Sequence, residues 1–384
     1  MAVAAPYAEK TDEQQAITEM VRQFVDGEVI PIAEEYDHED KFPEGVVEQM
    51  KELGLFGVMI PEEYGGMGLD LTTYAMIVEE LSRGWISISG IVNTHFIGSY
   101  LLMKFGTDDQ KDRFLPRMAT GEIRAAFSLS EPGLGSDVQA ISTRAKQDGD
   151  DWVINGTKMW VTNGLLSGVV FLLAKSDPDA DPPYKGMTCF ITIPPKIKKM
   201  GYKGVESTEL VYEDYRCPAQ NVLGGSEGVG NGFRYMMDAL EVGRVNVAAR
   251  GVGIAQRALE LALRYSQERR TFGKPIAQHQ AIQFKLADMA TKVDAARLLT
   301  LRAARLKDAG QRSDLEAGMA KLFASEIGKE VVEDAFRIHG GYGYSKEYEI
   351  ERLYRDAPLL LIGEGTSEIQ RMVIGKKLLE RHRV

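Results

Sequence analysis

Trp152-Val153-Ile154-Asn155-Gly156-Thr157 marks the point where the chain changes from helical to β-strand patterning. Residues that favour β-strands lie on both sides of its Asn-Gly pair, and Asn-Gly is a strong signal for the turn of a β-hairpin. The stretches 169–173, 188–193 and 210–215 follow and are rich in β-branched and aromatic residues, which favour strands. The sequence therefore predicts a β region in the middle of the chain, with a hairpin turn at Asn155-Gly156.

Helical patterning precedes this region. Within residues 14–29, apolar side chains recur every three or four positions, as on one face of a helix. Pro31 is expected to interrupt this helix, and another helix is predicted to begin within residues 42–44. Residues 74–81 and 91–105 then resume the helical pattern. The first third of the chain is therefore predicted to be helical.

The chain returns to helical patterning after Gly232. Residues 281–309 contain no glycine or proline, and their apolar side chains trace one stripe along a helix. Gly310 then stands where a left-handed C-terminal cap is expected. Pattern alone thus predicts the order helix, strand, helix along the chain.

The composition of the chain limits the classes of function. Its 384 residues, of which 44% are hydrophobic, suffice for two or three domains with sizeable cores. A formal net charge of −10 argues against a nucleic-acid-binding protein. The two cysteines, Cys189 and Cys217, and the five histidines show no spacing typical of metal ligands, so no metal site is expected. This cysteine usage fits a reducing cytoplasm.

No export signal or membrane segment is expected. Residues 1–11 have neither the long apolar core nor the basic start of an export signal. The longest apolar run, residues 168–174, is far shorter than the roughly 20 residues that a membrane helix needs. The sequence therefore predicts a soluble, cytoplasmic protein.

Near the C-terminus, Glu364 lies between Gly363 and Gly365 after an apolar run. The two glycines remove side-chain bulk, so a substrate can approach the carboxylate closely. Apolar neighbours disfavour the charged form and would raise the pKa of Glu364 toward the range of a general base near neutrality. The alternative is an exposed glutamate in a glycine-rich turn, and this segment alone favours that alternative.

A second polar segment, residues 127–137, contains three serines, two glycines, a proline and two carboxylates. Glycines permit a close approach to a flat or anionic ligand, and serine hydroxyls donate or accept hydrogen bonds. An ordinary connection between a helix and a strand has a similar composition, because Ser, Gly, Pro and Asp all favour turns. The two segments together make a ligand site the better interpretation.

Five separated motifs stand in order along the chain. They are Leu129-Ser130-Glu131-Pro132 with Gly135-Ser136-Asp137, Lys158-Met159-Trp160-Val161-Thr162-Asn163-Gly164, Glu268-Arg269-Arg270-Thr271-Phe272-Gly273 with His279-Gln280, Gly340-Gly341-Tyr342-Gly343, and Glu364-Gly365-Thr366-Ser367. Each motif alone is a weak signal, whereas five in order are a strong one. In this combination the chain resembles the acyl-CoA dehydrogenase family over residues 10–380.

The resemblance implies an α+β fold with three domains. These are an N-terminal helical domain (1–123), a middle antiparallel β domain (124–228) and a C-terminal domain like a four-helix bundle (229–384). It also implies a homotetramer. Members of this family use FAD to oxidise an acyl-CoA thioester to its trans-2-enoyl-CoA, by proton abstraction from the α-carbon and hydride transfer from the β-carbon to flavin N5. The implied electron acceptor is an electron-transfer flavoprotein.

The same matching implies the roles of individual residues. Glu364 is the catalytic base, and its backbone N–H is a candidate donor to the thioester oxygen. In isolation, Trp160 is better explained as core filler, but the resemblance implies that it covers the flavin ring. The cofactor-binding positions are Phe127, Leu129, Ser130, Gly135, Ser136, Trp160, Val161, Thr162, Arg269, Thr271, Phe272, Gln280, Arg337, Gly340, Gly341, Thr366 and Glu368. The substrate-binding positions are Ser136, Phe233, Met237, Glu241, Arg244, Gly363 and Gly365.

A rival position for the base lies on a helix. Some members carry the base immediately before an arginine that matches Arg244, and this position is Gly243 here. The nearest rival carboxylate is Glu241. Positions 241 and 244 share one face of a helix, so an ion pair between them is the alternative to a catalytic role. We therefore expect Glu364, and not Glu241, to be the base.

Two positions depart from the family pattern. Arg337 stands where relatives commonly have glutamine, although a cation there still favours a pyrophosphate. Gly363 stands where many members have a tyrosine packed along the acyl chain. Loss of that ring would enlarge the pocket near the α- and β-carbons, so we expect a branched, cyclic or short-to-medium acyl chain.

Other functions stay open from the sequence. An acyl-CoA oxidase, or an enoyl-CoA reductase running in the opposite direction, would share the fold, and no motif separates them from a dehydrogenase. A non-catalytic relative that acts as a binding or assembly subunit is a further alternative. The presence of Glu364 and of the complete flavin-like motifs argues against it.

Overall fold

Six helices form the N-terminal part of the described chain. They are α1 (Asp12–Phe24), α2 (Ile30–Glu39), α3 (Glu44–Glu52), α4 (Leu71–Gly84), α5 (Ile86–Phe105) and α6 (Asp108–Ala119). This computed structural model describes residues 10–192, 196–197 and 207–383. Most of the segment 1–11, in which no export signal is expected, therefore lies outside the described residues. α4 and α5 are buried along most of their length and form the centre of this part.

Pro31 does not interrupt the helical path, contrary to the expectation from the sequence. α1 continues into a π-helical turn, Val25–Val29, and Pro31 lies in the first turn of α2. Backbone N–H groups in the first turn of a helix have no partner within the helix, so a proline there removes no hydrogen bond. The expected helix start near residues 42–44 is confirmed, since α3 begins at Glu44.

Strands follow, and seven of the described ones form a single sheet. They are β1 (Ala125–Ser128), β2 (Arg144–Asp148), β3 (Asp151–Thr162), β4 (Val169–Lys175), β5 (Met187–Thr192), β6 (Lys196–Ile197) and β7 (Ser207–Pro218). The order is β1-β4-β2-β3-β7-β6, with β5 also paired to β4. Most pairs are antiparallel, but β4 runs parallel to β1 and to β2. The strands predicted over 169–173, 188–193 and 210–215 are confirmed as β4, β5 and β7, with Ile193 outside the described residues.

The hairpin turn predicted at Asn155-Gly156 is wrong. This pair lies inside β3, at a shift in its register with β7. The side chain of Asn155 exchanges hydrogen bonds with Asp214 of β7, at 2.9 Å to the Asp214 backbone N–H and 3.1 Å to its carboxylate. The turn is formed instead by Gly149 and Asp150, because Asp148 pairs with Asp151. The Asn155-Gly156 pair therefore lies at a β-bulge, where Asn155 is hydrogen-bonded to Asp214 of β7.

The C-terminal part is again helical. Its helices are α7 (Gly232–Glu268), α8 (Gln280–Asp308), α9 (Asp314–His339), α10 (Ile350–Asp356), α11 (Pro358–Ile362) and α12 (Ser367–Arg381), and a short hairpin of β8 (Arg270–Thr271) and β9 (Lys274–Pro275) joins α7 to α8. The helix predicted over 281–309 is confirmed as α8. Gly310 has a φ of 67°, which confirms the expected left-handed cap.

The two helical parts share one hydrophobic core. α7 packs against α9, α8 and α4, and one cluster of buried apolar residues includes members from both parts. The sheet has its own core, in which Trp152 and Phe190 meet edge to face at 5.5 Å. The α+β fold is thus confirmed, and the domain limits at 123/124 and 228/229 stay a proposal.

Of the helices in the described ranges, α5 alone has the length and apolar content of a membrane helix. However, 89% of its most apolar 18-residue window is buried within the chain itself. A long apolar helix enclosed in this way is the core helix of a globular protein.

Candidate active site

Glu364 lies in a tight connection between two helices. α11 ends at Ile362, and Thr366 caps the start of α12 by accepting a hydrogen bond from the Ile369 N–H at 3.3 Å. Glu364 has a φ of 55°, in the left-handed region that a residue with a side chain adopts rarely. Such a conformation costs about 1–3 kcal/mol and persists where surrounding contacts hold it.

Two side chains hold the backbone of this connection. Lys321, on α9, is fully buried and donates a hydrogen bond to the Gly365 carbonyl oxygen at 2.8 Å. Gln370, on α12, donates to the Glu364 carbonyl oxygen at 3.2 Å. Contacts from two separate helices therefore fix the peptide groups on the C-terminal side of Glu364.

The carboxylate of Glu364 points into the protein. Asn93, on α5, donates a hydrogen bond from Nδ2 to Oε1 at 2.5 Å. The other oxygen, Oε2, is buried and has no hydrogen-bond partner among the described residues. Burial raises the pKa of Glu364, while Asn93 and the positive charges of Arg250, Lys321 and Arg244 oppose this rise. The carboxyl group therefore binds a proton more readily than an exposed glutamate does.

Gly243, the other position considered for the base, lies next to the carboxylate of Glu364. A Cβ added at Gly243, on α7, would overlap Oε2 of Glu364 and lie 3.1 Å from its carboxyl carbon. The absence of a side chain at Gly243 is thus what leaves room for the carboxylate. The two candidate positions for a base are therefore adjacent in the fold, and of the two only Glu364 has a carboxylate.

The side chain of Glu241 is bound by residues other than Arg244. Its Oε1 accepts a hydrogen bond from Ser313 at 2.8 Å and lies 3.5 Å from Nζ of Lys307. The ion pair between Glu241 and Arg244, which was the alternative to a catalytic role for Glu241, is not formed within 4 Å. Arg244 instead has a buried Nε without a hydrogen-bond partner among the described residues. Glu241 is thus held by Ser313 and Lys307, its ligand role stays a prediction, and Arg244 keeps one N–H group without a partner among the described residues.

A buried ion pair holds the segment 127–137. Glu131 accepts hydrogen bonds from the backbone and hydroxyl of both Ser142 and Thr143, and its Oε1 lies 3.0 Å from Nζ of Lys158. Burial by itself would raise the pKa of Glu131, but these hydrogen bonds and the Lys158 charge lower it to about 2. Lys158 also donates to the Leu129 carbonyl oxygen at 2.9 Å. The pair therefore fixes the loop from β1 onto β3.

The loop and β3 leave several matched side chains accessible. The backbone N–H of Met159 donates to the Ser130 carbonyl oxygen at 2.9 Å, which places Ser130 next to Trp160. Trp160 has a φ of 64° and is 59% exposed, so it is not core filler. Gly135 and Ser136 are also accessible, whereas Leu129 and Val161 are buried and offer only backbone groups to a ligand.

A separate cleft brings together the other matched residues. It has a volume of about 550 Å³ and includes Arg269, Thr271, Gly340 and Gly341 among its lining residues. The Arg269 guanidinium lies 5.8 Å from the centre of the Tyr342 ring, which also lines the cleft. Among the described residues, no carboxylate lines this cleft or pairs with Arg269. A cation without a carboxylate partner, beside glycine backbone, suits a phosphate group.

Some residues to which the sequence resemblance gave a ligand role lie outside the cleft or apart from Glu364. Arg337 is bound to Glu333 at 2.6 Å and does not line the cleft. Gln280 is exposed at the first position of α8, and Glu368 is exposed at the second position of α12. Two further matched residues, Phe233 and Met237, pack on a cluster formed by α5, α6, the sheet and α7. The structure does not test the ligand roles of these residues, and these roles stay predictions.

The sequence models of the acyl-CoA dehydrogenase family match nearly the whole chain. The N-terminal, middle and C-terminal domain models match residues 11–122, 126–215 and 230–379. The chain belongs to the acyl-CoA dehydrogenase family. It is therefore an FAD-dependent oxidoreductase, as the motifs predicted.

Individual relatives include both oxidising and reducing enzymes. The chain is 41% identical to a 3-(aryl)acrylate reductase of Clostridium sporogenes, covering 96% of this chain and 99% of the relative. It is 42% identical to the mitochondrial short-chain specific acyl-CoA dehydrogenase of Bos taurus, covering 98% and 92%. A solved structure described as the electron transferring flavoprotein of Acidaminococcus fermentans contains a chain that matches with a TM-score of 0.93 and 38% identity, covering 97% and 99%.

The side chains present fit the FAD of this family. Trp160 offers an exposed aromatic face beside the Ser130 loop, and Phe272 is 96% exposed at a φ of 49°. The cleft supplies a guanidinium, a threonine and glycine backbone for a pyrophosphate. Residues in strained backbone conformations cluster at ligand sites, and a flat cofactor would give both exposed aromatic side chains a partner.

Sequence reasoning missed the residues that support the site. Asn93, Lys321 and Gln370 were not identified as site residues, although all three touch the Glu364 connection. Asn93 carried one usable signal, a polar side chain inside the apolar helical pattern 91–105. Lys158 and Glu131 belong to quoted motifs, but no sequence spacing indicates that they pair across 27 residues.

Substitution of either partner in the Glu131–Lys158 pair should destabilise the protein. We expect Glu131→Gln and Lys158→Met each to lower the free energy of unfolding by about 3 kcal/mol, because each leaves a buried polar group without its partner. The double variant should lose clearly less than the sum of the two. Urea unfolding followed by tryptophan fluorescence measures these losses.

The exposed pair of Arg216 and Asp148 in the same sheet is the matched control. Asp148→Asn should change the free energy of unfolding by less than about 1 kcal/mol, as for surface ion pairs. Fully additive losses for the buried pair would show that Glu131 and Lys158 do not act together.

The placement of the Glu364 carboxylate over Gly243 can be tested by adding a side chain at position 243. In Gly243→Ala, the new methyl group meets the flexible end of Glu364 and not backbone, so the fold and bound FAD should be retained. The displaced carboxylate should lower turnover with acyl-CoA by about 100-fold, as expected for a misplacement of about 1 Å. Steady-state kinetics and the flavin absorbance check both statements.

Gly375→Ala, on the surface of α12 with open space around its Cβ, serves as the control and should keep full turnover. Turnover of Gly243→Ala close to that of the natural protein would contradict the placement of the carboxylate over Gly243.

Proposed function

We propose that this protein catalyses the α,β-dehydrogenation of an acyl-CoA thioester to the trans-2-enoyl-CoA, with Glu364 as the base that removes the α-proton. The observation that carries the proposal is the Glu364 carboxylate, enclosed over Gly243 with one oxygen free of hydrogen-bond partners among the described residues. A base of this kind needs a free lone pair and a pKa close to the working pH. Oε2 supplies the lone pair, and burial raises the pKa of Glu364 above its ordinary value.

The chain's own residues have defined tasks in this reaction. Bound FAD supplies the acceptor for the β-hydride, a chemistry that no amino-acid side chain provides. Glu364 accepts the α-proton, and the hydrogen bond from Asn93 and the charges of Arg250, Lys321 and Arg244 favour its ionised form. The backbone N–H of Glu364 is the proposed donor to the thioester oxygen, because a fixed donor stabilises the charge that develops there.

The residues proposed to bind FAD form two groups. The Ser130 loop and Trp160 form the first group, and the cleft with Arg269, Thr271 and Gly340 forms the second. Among the described residues, no hydrogen bond or ring contact joins the two groups. We therefore propose that one FAD spans a group from each of two copies of the chain, within a homotetramer.

The remaining assignments follow from the same family membership. Ser136, Phe233, Met237, Glu241, Arg244, Gly363 and Gly365 are proposed to line the path of the acyl-CoA. An electron-transfer flavoprotein is the proposed acceptor of the electrons, and the match to the Acidaminococcus fermentans electron transferring flavoprotein structure supports this proposal. We propose a reducing cytoplasm as the compartment, because Cys189 and Cys217 are both free.

Position 363 is proposed to set the shape of the acyl group. Gly363 has a φ of −60° and a ψ of 142°, which residues with side chains also adopt. A Cβ there would come no closer than 3.4 Å to the Leu359 carbonyl oxygen, the one atom near it. The backbone therefore does not require glycine, and its use leaves space that a tyrosine would fill. A branched or cyclic acyl group would occupy this space.

Gly363→Tyr tests this assignment. The ring should lower kcat/KM for branched and alicyclic acyl-CoA thioesters by about tenfold more than for straight-chain ones, since an overfilled pocket costs roughly 1–3 kcal/mol. Reduction of bound FAD under anaerobic conditions, measured across such a panel, gives the ratio. An equal loss in both classes would remove the proposed role of Gly363.

The reverse reaction is a second candidate. The 41% identical relative is a 3-(aryl)acrylate reductase, so a relative of nearly the same length is named for reduction of a double bond. The same Glu364 would then give a proton to the α-carbon. Steady-state turnover separates the two directions: a dehydrogenase should oxidise saturated acyl-CoA with an added one-electron acceptor, whereas a reductase should consume enoyl-CoA only with an added electron donor.

Glu364→Gln tests the proposed base. The amide has nearly the same shape but cannot accept the proton, so flavin reduction by acyl-CoA should fall by about 10³-fold or more. FAD should stay bound, as measured by its absorbance. Glu380→Gln, at a carboxylate on the last turn of α12, is the control and should retain activity. Retained activity in Glu364→Gln would refute this role.

A further inference from the structure

Asn93 is the polar side chain that contacts the Glu364 carboxylate directly. It comes from α5, is 4% exposed, and its Nδ2 lies 2.5 Å from Oε1 of Glu364. Oδ1 of Asn93 and Oε2 of Glu364 are both buried without a hydrogen-bond partner among the described residues. The reverse orientation of the amide would set two acceptors against each other, so a charged Glu364 requires the amide nitrogen to face it.

We propose that Asn93 is a positioning residue for the base: its amide holds Oε1 of Glu364 and so leaves Oε2 as the atom that receives the α-proton. This inference rests on the proposed role of Glu364. It assigns different tasks to the two carboxylate oxygens, because one is occupied and the other is free. It also explains why an amide lies in a helix whose other residues in this region are mostly apolar.

The geometry makes rotation of the carboxylate unfavourable. Oε1 cannot leave Asn93 without leaving a buried N–H group unpaired, which is unfavourable. On the other side, Gly243 leaves just enough room for Oε2, and a methyl group there would overlap it. Asn93 and the surface of α7 therefore hold the carboxylate from two sides.

Other charged groups face the same carboxylate. Arg244 and Arg250 come from α7 and Lys321 comes from α9, and all three favour the ionised form. They are charges, and their effect falls slowly with distance, whereas the hydrogen bond from Asn93 depends on direction. Removal of Asn93 should therefore change both the proton affinity of Glu364 and the orientation of its carboxylate, while the three charges stay in place.

The test uses the FAD-loaded protein with Asn93→Leu, which keeps the size but removes the donor, and Asn93→Asp, which replaces the donor by a second carboxylate. Hydrogen bonding to the charged form lowers the pKa of a carboxyl group, so its loss should move the rising limb of the kcat/KM profile to higher pH. We expect a shift of about one pH unit in Asn93→Leu, equal to about a tenfold loss below the limb. Asn93→Asp should shift the limb further.

A second measurement does not depend on turnover. The infrared carbonyl stretch of protonated Glu364, identified by its absence in Glu364→Gln, should titrate at a higher pH in both Asn93 variants. Ser99→Ala, a buried position on the same helix whose hydroxyl donates to the Phe96 carbonyl oxygen, should leave the band and the pH profile unchanged.

The outcomes separate the two proposals. An infrared titration unchanged by Asn93→Leu, or a loss of activity equal at every pH, would overturn the role of Asn93 as more than packing. Full activity in Glu364→Gln would instead overturn the proposed base, while the infrared titration would still report whether Asn93 holds its carboxylate.

Discussion

The enclosed carboxylate of Glu364 is the feature on which the rest of the site depends. It points inward because its backbone is held at a φ of 55° by the helix that ends before it and the helix that starts after it. Lys321 and Gln370 fix the adjoining peptide groups, and Gly243 provides the space. Strain of about 1–3 kcal/mol in the backbone is thus offset by contacts from α9 and α12, and the result is a carboxyl group whose Oε2 is buried in the protein.

The same carboxylate lies next to the second position that the sequence resemblance suggested for a base. A residue on α7 before Arg244 and a residue after α11 are 121 positions apart in sequence (364 − 243), yet the structure brings them to one point. A glycine at one position is therefore the condition for a glutamate at the other. This relation is physical, because two side chains cannot occupy the same volume.

Much of the fold was predictable because it depends on local patterns. Apolar periodicity predicted several of the helices, among them α8, and the runs that became β4, β5 and β7 were correctly predicted. The errors arose where a local signal had a tertiary use. Asn155-Gly156 has the composition of a turn, but Asn155 bonds to Asp214 across the sheet. In the site, motif matching pointed to Glu364, while the contact of Asn93 with it was missed because it joins residues 271 positions apart.

The most direct test of the account is exchange of the α-hydrogen with solvent. An acyl-CoA whose β-carbon is replaced by sulfur can lose an α-proton but cannot be dehydrogenated, so exchange isolates the step assigned to Glu364. In D₂O, the holoenzyme should incorporate deuterium at the α-carbon, as measured by proton NMR, and Glu364→Gln should not. Incorporation by Glu364→Gln as fast as by the natural protein would show that another group removes the proton.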